Sequence, residues 1–234
     1  MPLAASHLYG GVREPIDFSI LPGRSLLSTL RATLQKDTRD QPILSSRGWF
    51  ASFTGEISLT PFGSDYSYQK GSVNLSTWVP MPNRHVLGLH WFGGAIAGDA
   101  PFFEQFYVGD LTDLRPGRVL GLNFDSRAAP NLLGTVVEEV RYGEYASKLS
   151  VEYRIPLYRG SRSIYGIDFF ASGGIYGIAA LRDFENPARD RQGLERVPVD
   201  LTANAGFLMD TSAGGFAFSF ANVVGFIPTR GDHQ

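Results

Sequence analysis

Apolar and polar residues alternate along about eight segments of this 234-residue chain. The clearest segment interleaves Leu149, Val151 and Tyr153 with Ser150 and Glu152. Successive side chains of a β-strand point to opposite faces, so each segment predicts a strand with one apolar and one polar face. Runs of apolar residues end within about ten positions at Gly, Asp or Arg, which is too short for a membrane-spanning helix. The pattern predicts an all-β fold, an antiparallel transmembrane β-barrel of about eight strands.

The predicted strands are joined partly by tight turns and partly by long polar loops. Residues 98–148 resist simple alternation, and a loop of that length is usually functional or disordered. Residues 182–196 are dense in charge and predict a second, extracellular loop. The strands are expected at residues 26–36, 49–60, 67–79, 85–97, 148–157, 164–180, 199–209 and 215–226.

The first 22 residues are expected to be irregular, and residues 23–234 to form the barrel domain. Gly10-Gly11, Pro15 and Pro22-Gly23 are read as breakers, so no strand is assigned there. The chain starts without a basic or an apolar region of the kind found in secretory signals. Export would then require a signal that was removed or that lies upstream.

Composition narrows the classes of function. The 27 Gly, 17 Phe and 10 Tyr suit a glycine-rich barrel with aromatic girdles. A net charge of −2 without a basic stripe argues against nucleic-acid binding. The absence of cysteine removes disulfides, thiol catalysis and cysteine metal sites.

Residues that could support catalysis are few. His90, Ser172 and Asp168 could be imagined as a hydrolase triad at a barrel rim. A histidine on a strand face is more often a packed or hydrogen-bonded residue of the lumen. The other histidines lack metal-ligand spacing, and the Gly-Gly pairs match no phosphate loop. We therefore expect neither enzymatic activity nor a cofactor.

Three motifs stand out along the chain. The first motif, in the long loop, contains Pro101, Phe102, Phe103, Glu104, Phe106 and Gly109, followed by Leu114, Arg115 and Gly117. The second motif follows the first predicted strand and contains Asp37, Arg39, Asp40, Pro42 and Gly48, and the third is the strand at residues 150–157. In order and spacing these motifs resemble those of the BamA/TamA-type bacterial surface antigens, a family of outer-membrane assembly factors. The second motif resembles the family's periplasmic turn, and the third resembles the strand after its long loop.

The resemblance implies roles for two charged residues. In the family the long loop folds back into the lumen, where its arginine meets a strand glutamate, and these roles fall on Arg115 and Glu152. Alternation independently places Glu152 on the polar face. The loop tip departs from the family pattern, because Pro116-Gly117 stands where the family has glycine and an aromatic residue. The family barrel has sixteen strands, so this chain matches its C-terminal half.

The implied function is non-catalytic assembly and insertion of outer-membrane β-barrel proteins, in the outer membrane of a Gram-negative bacterium. The expected partners are the lipid bilayer and client barrels. An alternative is a reduced surface-antigen-type barrel that serves as an accessory or partner-binding module and closes by self-association. The apparent truncation to half of the family barrel favours this alternative.

Overall fold

The fold is an antiparallel sheet of eight strands accompanied by two short hairpins. The computed structural model describes residues 5–9, 12–16, 25–107, 142–179 and 199–223. The eight-stranded sheet contains β3 (Thr29–Asp37), β4 (Gly48–Ser58), β5 (Ser67–Pro80), β6 (Val86–Asp99), β9 (Tyr145–Arg159), β10 (Ile164–Ala179), β11 (Val199–Thr211) and β12 (Gly214–Val223). Each of the eight predicted strands is confirmed, with boundaries that differ by a few residues.

The order of the strands in the sheet is β12-β11-β10-β9-β6-β5-β4-β3. Chain neighbours are therefore sheet neighbours, except that β6 pairs with β9 across the long insertion. Within that insertion, β7 (Phe106–Tyr107) pairs with β8 (Tyr142–Gly143). The predicted loop at 182–196 lies outside the described residues.

The two faces of the sheet differ as alternation predicts. Large apolar side chains project outward and are exposed, up to 76% at Leu34 and 80% at Phe220. The other face buries polar residues, including Glu56 and Ser58 at 6% and 0% exposure. An apolar outer face and a polar interior are the arrangement of a transmembrane barrel. Among the residues described, no helix is long and apolar enough to cross a membrane.

A hydrophobic cluster covers the inner face at the end where β6 leads into the long insertion. A tyrosine from β5, Tyr68, lies at its centre with 1% exposure. The other buried members are Tyr66, Ile96, Ala100, Phe106, Ala146, Tyr176 and Ile178. This end of the sheet therefore carries a packed core on its concave side.

The expectation of no strand in residues 1–22 was wrong. Strands β1 (Ala5–Tyr9) and β2 (Val12–Ile16) pair as an antiparallel hairpin. In the sequence only Gly10-Gly11 separates these two strands, and a Gly-Gly pair between two strands is a hairpin signal as well as a breaker signal. Pro15 is compatible with the short strand because a two-stranded hairpin consists only of edge strands.

Candidate functional site

The first motif of the long insertion is docked on the inner wall of the sheet. Pro101 is fully buried, and Phe102–Glu104 form a single 3-10 turn closed by a 2.9 Å bond from the Glu104 amide to the Pro101 carbonyl. Residues 101–107 are here called the docked segment, and their last two residues form β7. Edge-to-face contact between the rings of Phe103 and Tyr66, 6.4 Å apart, joins the segment to the hydrophobic cluster.

Lysine 70 on β5 anchors the docked segment through its ammonium group. Lys70 Nζ donates to the Glu104 carbonyl at 2.6 Å and lies 3.2 Å from its carboxylate. The same ammonium lies 5.1 Å from the centre of the Phe106 ring. Charge-assisted hydrogen bonds are stronger than neutral ones, and a cation over an aromatic ring adds attraction. Gln105 adds a 2.9 Å bond to Glu144, just before β9.

Glycine 94 on β6 provides the seat for Phe106. A methyl group at Gly94 would lie 2.4 Å from the Phe106 Cζ atom, so only glycine leaves room for the ring. Phe92 meets the same ring edge-to-face at 5.8 Å. Phe106 is 3% exposed as a result. The segment is thus held by shape as well as by charge.

A ladder of polar side chains runs beside this anchor across three strands. Glu56 on β4 accepts hydrogen bonds from Arg31 Nε on β3 and from the Tyr68 hydroxyl on β5, both at 2.7 Å. The register places Glu56 opposite both Arg31 and Lys70. Alternating charges on the inner face therefore neutralise one another across the sheet.

Glu152 lies on the inner face in the middle of β9, as alternation predicts. Its cross-strand neighbours are Gly88 on β6 and Ser172 on β10, which are small. Its carboxylate lies 3.0 Å from Arg154 Nε. Gly109, Leu114, Arg115 and Gly117 fall outside the described residues, so the predicted pairing of Arg115 with Glu152 stays a prediction.

The second motif forms the turn between β3 and β4. Arg39 donates two hydrogen bonds to the Asp37 carboxylate, at 2.9 and 2.7 Å, and one to the Pro42 carbonyl at 3.0 Å. Its bonds to Asp37 raise the pKa of Arg39. Gly48 has a φ of 101°, and a methyl group there would lie 2.4 Å from the Thr38 carbonyl oxygen. Glycine is required at this position.

Asp40 organises the same turn through its carboxylate. It accepts hydrogen bonds from the Ser46 amide at 2.8 Å, the Arg47 amide at 3.3 Å and the Ser46 hydroxyl. Burial raises the pKa of Asp40, but hydrogen bonds from Ser46 and Arg47 outweigh it and lower the pKa below the ordinary value of 3.8. The charged carboxylate is therefore the form that stabilises the turn.

The residues imagined as a hydrolase triad make other contacts. His90 Nδ1 lies 3.0 Å from Ser76 Oγ, and the His90 ring meets Trp78 edge-to-face at 5.4 Å. The Asp168 carboxylate accepts a hydrogen bond from Arg159 and lies 3.9 Å from Arg154 Nη1. In the part of the chain that the structure describes, no three His, Asp or Glu side chains are grouped as metal ligands.

Sequence reasoning missed Lys70 and Arg154. Lys70 and Arg154 stand at inward positions of predicted strands, where a charge requires a partner, and this signal could have marked them. Gly94 belongs to the Gly93-Gly94 pair, and paired glycines in a predicted strand indicate bending or the close approach of a loop. Its importance comes from Phe106, which reaches it through the fold.

An antiparallel sheet with an apolar outer face, a polar inner wall and a loop segment docked on that wall defines a transmembrane β-barrel protein. The profile of the Omp85 superfamily domain matches residues 14–222, and the chain belongs to this superfamily. This assignment confirms the BamA/TamA-type resemblance read from the three motifs.

The chain is also similar to two named proteins. The outer membrane protein assembly factor BamA of Nitratidesulfovibrio vulgaris (strain Hildenborough) is 24% identical over 201 residues, covering 82% of this chain and 24% of that protein. The crystal structure of Haemophilus ducreyi BamA lacking POTRA domains 1–3 has a TM-score of 0.59 at 15% identity, covering 84% of this chain and 38% of that chain. The chain therefore spans about a quarter of the sequence relative and over a third of the structural one.

Proposed function

We propose that this chain is an outer-membrane barrel unit that assists the assembly and insertion of other outer-membrane β-barrel proteins without a chemical step. The observation that carries the proposal is the docked segment, because it leads the long insertion onto the inner wall rather than away from it. The outer membrane protein assembly factor to which the chain is similar supports the same function. The proposed location is the bacterial outer membrane.

The pairing of Arg115 with Glu152 is geometrically feasible. Phe106 lies against Gly94, which is paired with Ala146 on β9. Glu152 lies six residues further along β9, about 20 Å away at the rise of a strand. The eight residues from Tyr107 to Arg115 span up to about 26–29 Å when extended. The loop can therefore bring its arginine to the glutamate.

The surroundings of Glu152 suit a guanidinium group from the loop. The cross-strand neighbours Gly88 and Ser172 are small, and the His90 ring lies beside Gly88, with its Nε2 atom 2.8 Å from where a methyl group would stand. Arg154, whose side chain is buried, holds the carboxylate in place from one side. An ion pair in a largely buried setting depends on both partners, so neutralising either one is strongly unfavourable.

The test is a reconstitution in liposomes with an unfolded client barrel. The wild-type chain should accelerate client folding, measured by protease protection and by the mobility of the folded client in gels. Arg115→Gln and Glu152→Gln should each reduce the acceleration, and the double variant should lose little more than either single one. Arg162→Gln, at an exposed site in the β9–β10 turn, is the matched control. Equal client folding rates with and without the wild-type chain would refute the proposal.

A second candidate is the partner-binding module that closes with another copy of itself. It is favoured by the two end strands of the sheet, β3 and β12, which pair on one side only within the described structure. Every residue of β3 is exposed. Unpaired strand edges cannot face lipid, so each must find a partner strand. Two eight-stranded sheets would together supply sixteen strands.

Self-association is tested by mass and by cross-linking. A dimer in detergent should have twice the 25.6 kDa chain mass after correction for bound detergent. The chain lacks cysteine, so Thr33→Cys and Ser219→Cys, on the inward sides of β3 and β12, provide one reactive site on each edge strand. Cross-linked dimers of the Thr33→Cys/Ser219→Cys chain but not of the Thr33→Cys/Arg162→Cys chain would support edge pairing, whereas a monomeric mass would exclude it.

A further inference from the structure

The turn between β3 and β4, residues 38–47, folds over the concave side of the sheet instead of projecting from its end. Leu44 and Ser45 are 3% and 1% exposed, which is unusual for a turn between two strands. The turn keeps its shape through a 2.6 Å bond from the Ser45 hydroxyl to the Gln41 carbonyl and through the bonds to Asp40. It is a structured element with its own buried side chains.

The apolar tips of this turn sit on glycines of distant strands. A methyl group at Gly166, where β10 begins, would lie 2.6 Å from Leu44 Cδ1. One at Gly215 on β12 would lie 3.0 Å from Ile43 Cδ1. Strand β4 is four positions from β10 and six from β12 in the sheet order, about 19 and 29 Å at the usual strand spacing. The turn therefore crosses the concave side of the sheet.

Arg154 fastens the turn from the wall. This side chain is 1% exposed, and its Nη2 donates to the Ser45 carbonyl. Glu152 and Asp168 surround the same guanidinium, with contacts at 3.0 and 3.9 Å. A buried arginine is tolerated only when acceptors surround it, and the turn supplies one of them.

The opposite side of the turn is fixed to the near wall. Arg39 lies over the rings of Phe50 on β4 and Trp78 on β5, at 5.1 and 5.5 Å from their centres. The turn is thus attached to β4 and β5 at one side and to β9, β10 and β12 at the other. It spans the mouth of the curved sheet at this end.

We propose that residues 38–47 form a floor that closes this end of the lumen, seated on Gly166 and Gly215 and fastened by Arg154. The floor excludes water and solutes from the inner wall and ties β4 and β5 to β9, β10 and β12. The floor consists only of residues of this chain, so the inference does not depend on client insertion. Failure of either proposal leaves the other standing.

The floor is tested by access to a cysteine placed just behind it. Ser150→Cys lies on the inner face, two residues before Glu152, at a site that is 7% exposed. A membrane-impermeant maleimide should label it slowly in the otherwise wild-type chain. Replacing Ile43 and Leu44 together by Ser should speed labelling about tenfold or more, since burial of two aliphatic side chains is lost. Arg154→Met should act in the same direction.

An engineered disulfide and its control complete the test. In the Leu44→Cys/Gly166→Cys chain an oxidised disulfide should form, whereas Leu44→Cys with Val151→Cys, on the outer face, should stay reduced. Folding of every variant is checked by its gel mobility before and after heating. If the folded Ile43→Ser/Leu44→Ser chain labels at the wild-type rate, the floor is refuted. This variant decides the matter even where Arg154→Met fails to fold.

Discussion

Gly94→Ala is the sharpest perturbation of the docked segment, because the added methyl group would lie 2.4 Å from the Phe106 ring. The ring must leave its seat, and exposure of a buried phenylalanine costs about 1.5–3 kcal/mol. Gly71→Ala is the matched control, since nothing lies within 4 Å of a methyl group at Gly71. Each substitution also stabilises the folded chain by about 0.5–1 kcal/mol because it replaces a strand glycine. This stabilisation cancels when the two variants are compared.

The assay is the rate at which maleimide labels Gln105→Cys, a position in the middle of the docked segment. A loss of 1.5–3 kcal/mol corresponds to roughly a ten- to hundredfold higher population of the undocked segment, and labelling should accelerate by that factor. The Gly71→Ala background should label at the rate of the parent chain. Equal labelling rates in the Gly94→Ala and Gly71→Ala chains would show that the ring is not seated on this glycine.

The remaining predictions concern the ion-pair anchor and the turn. Lys70→Met should raise the same labelling rate, because the Glu104 carbonyl and carboxylate lose their donor, and a labelling rate unchanged from the parent would contradict this. Gly48→Ala should lower the urea midpoint of the chain in detergent by an amount worth about 1–3 kcal/mol, since φ there is 101°, while Gly55→Ala should not. Asp40 has a lowered pKa, so its stabilisation should be complete above pH 3.8 and lost as the pH falls through its folded value; Asp40→Asn should remove this part of the acid sensitivity in pH-dependent unfolding.

Alternation predicted the strands well because each strand separates an apolar environment from a polar one. A shift of one residue would turn every side chain of a strand to the wrong face, so the pattern fixes the strand's orientation. The pairing of β1 with β2 was missed because the Gly10-Gly11 sequence was read as a breaker, although a Gly-Gly pair is also a hairpin signal. The same two glycines serve either purpose, and the short flanking strands carry too little alternation to decide.

The candidate site was predictable only in part. The motifs named Glu104 and Phe106, which lie in the docked segment, and Arg39 and Gly48, which lie at the turn between β3 and β4; Glu152 lies on the inner face, where alternation puts it. The partners were not predictable, because they come from distant parts of the chain: Arg154 and Ser45 are 109 residues apart. No local pattern encodes such a contact, which depends on the curvature of the whole sheet.

The two ends of the inner wall hold their irregular segments by the same physical arrangement. At one end a strand lysine donates to the Glu104 carbonyl and Phe106 sits on a glycine; at the other a strand arginine donates to the Ser45 carbonyl and Leu44 sits on a glycine. A bond to a backbone carbonyl does not depend on the side chain of the residue that carries it, whereas a glycine seat selects by size. The glycines should therefore determine which side chains fit at the two contacts. Lys70 and Arg154 should determine how strongly the backbone of each segment is bound. Because the ends share no side chain in these contacts, weakening both should give additive losses of stability. A deviation from additivity would reveal that the wall transmits strain from one segment to the other.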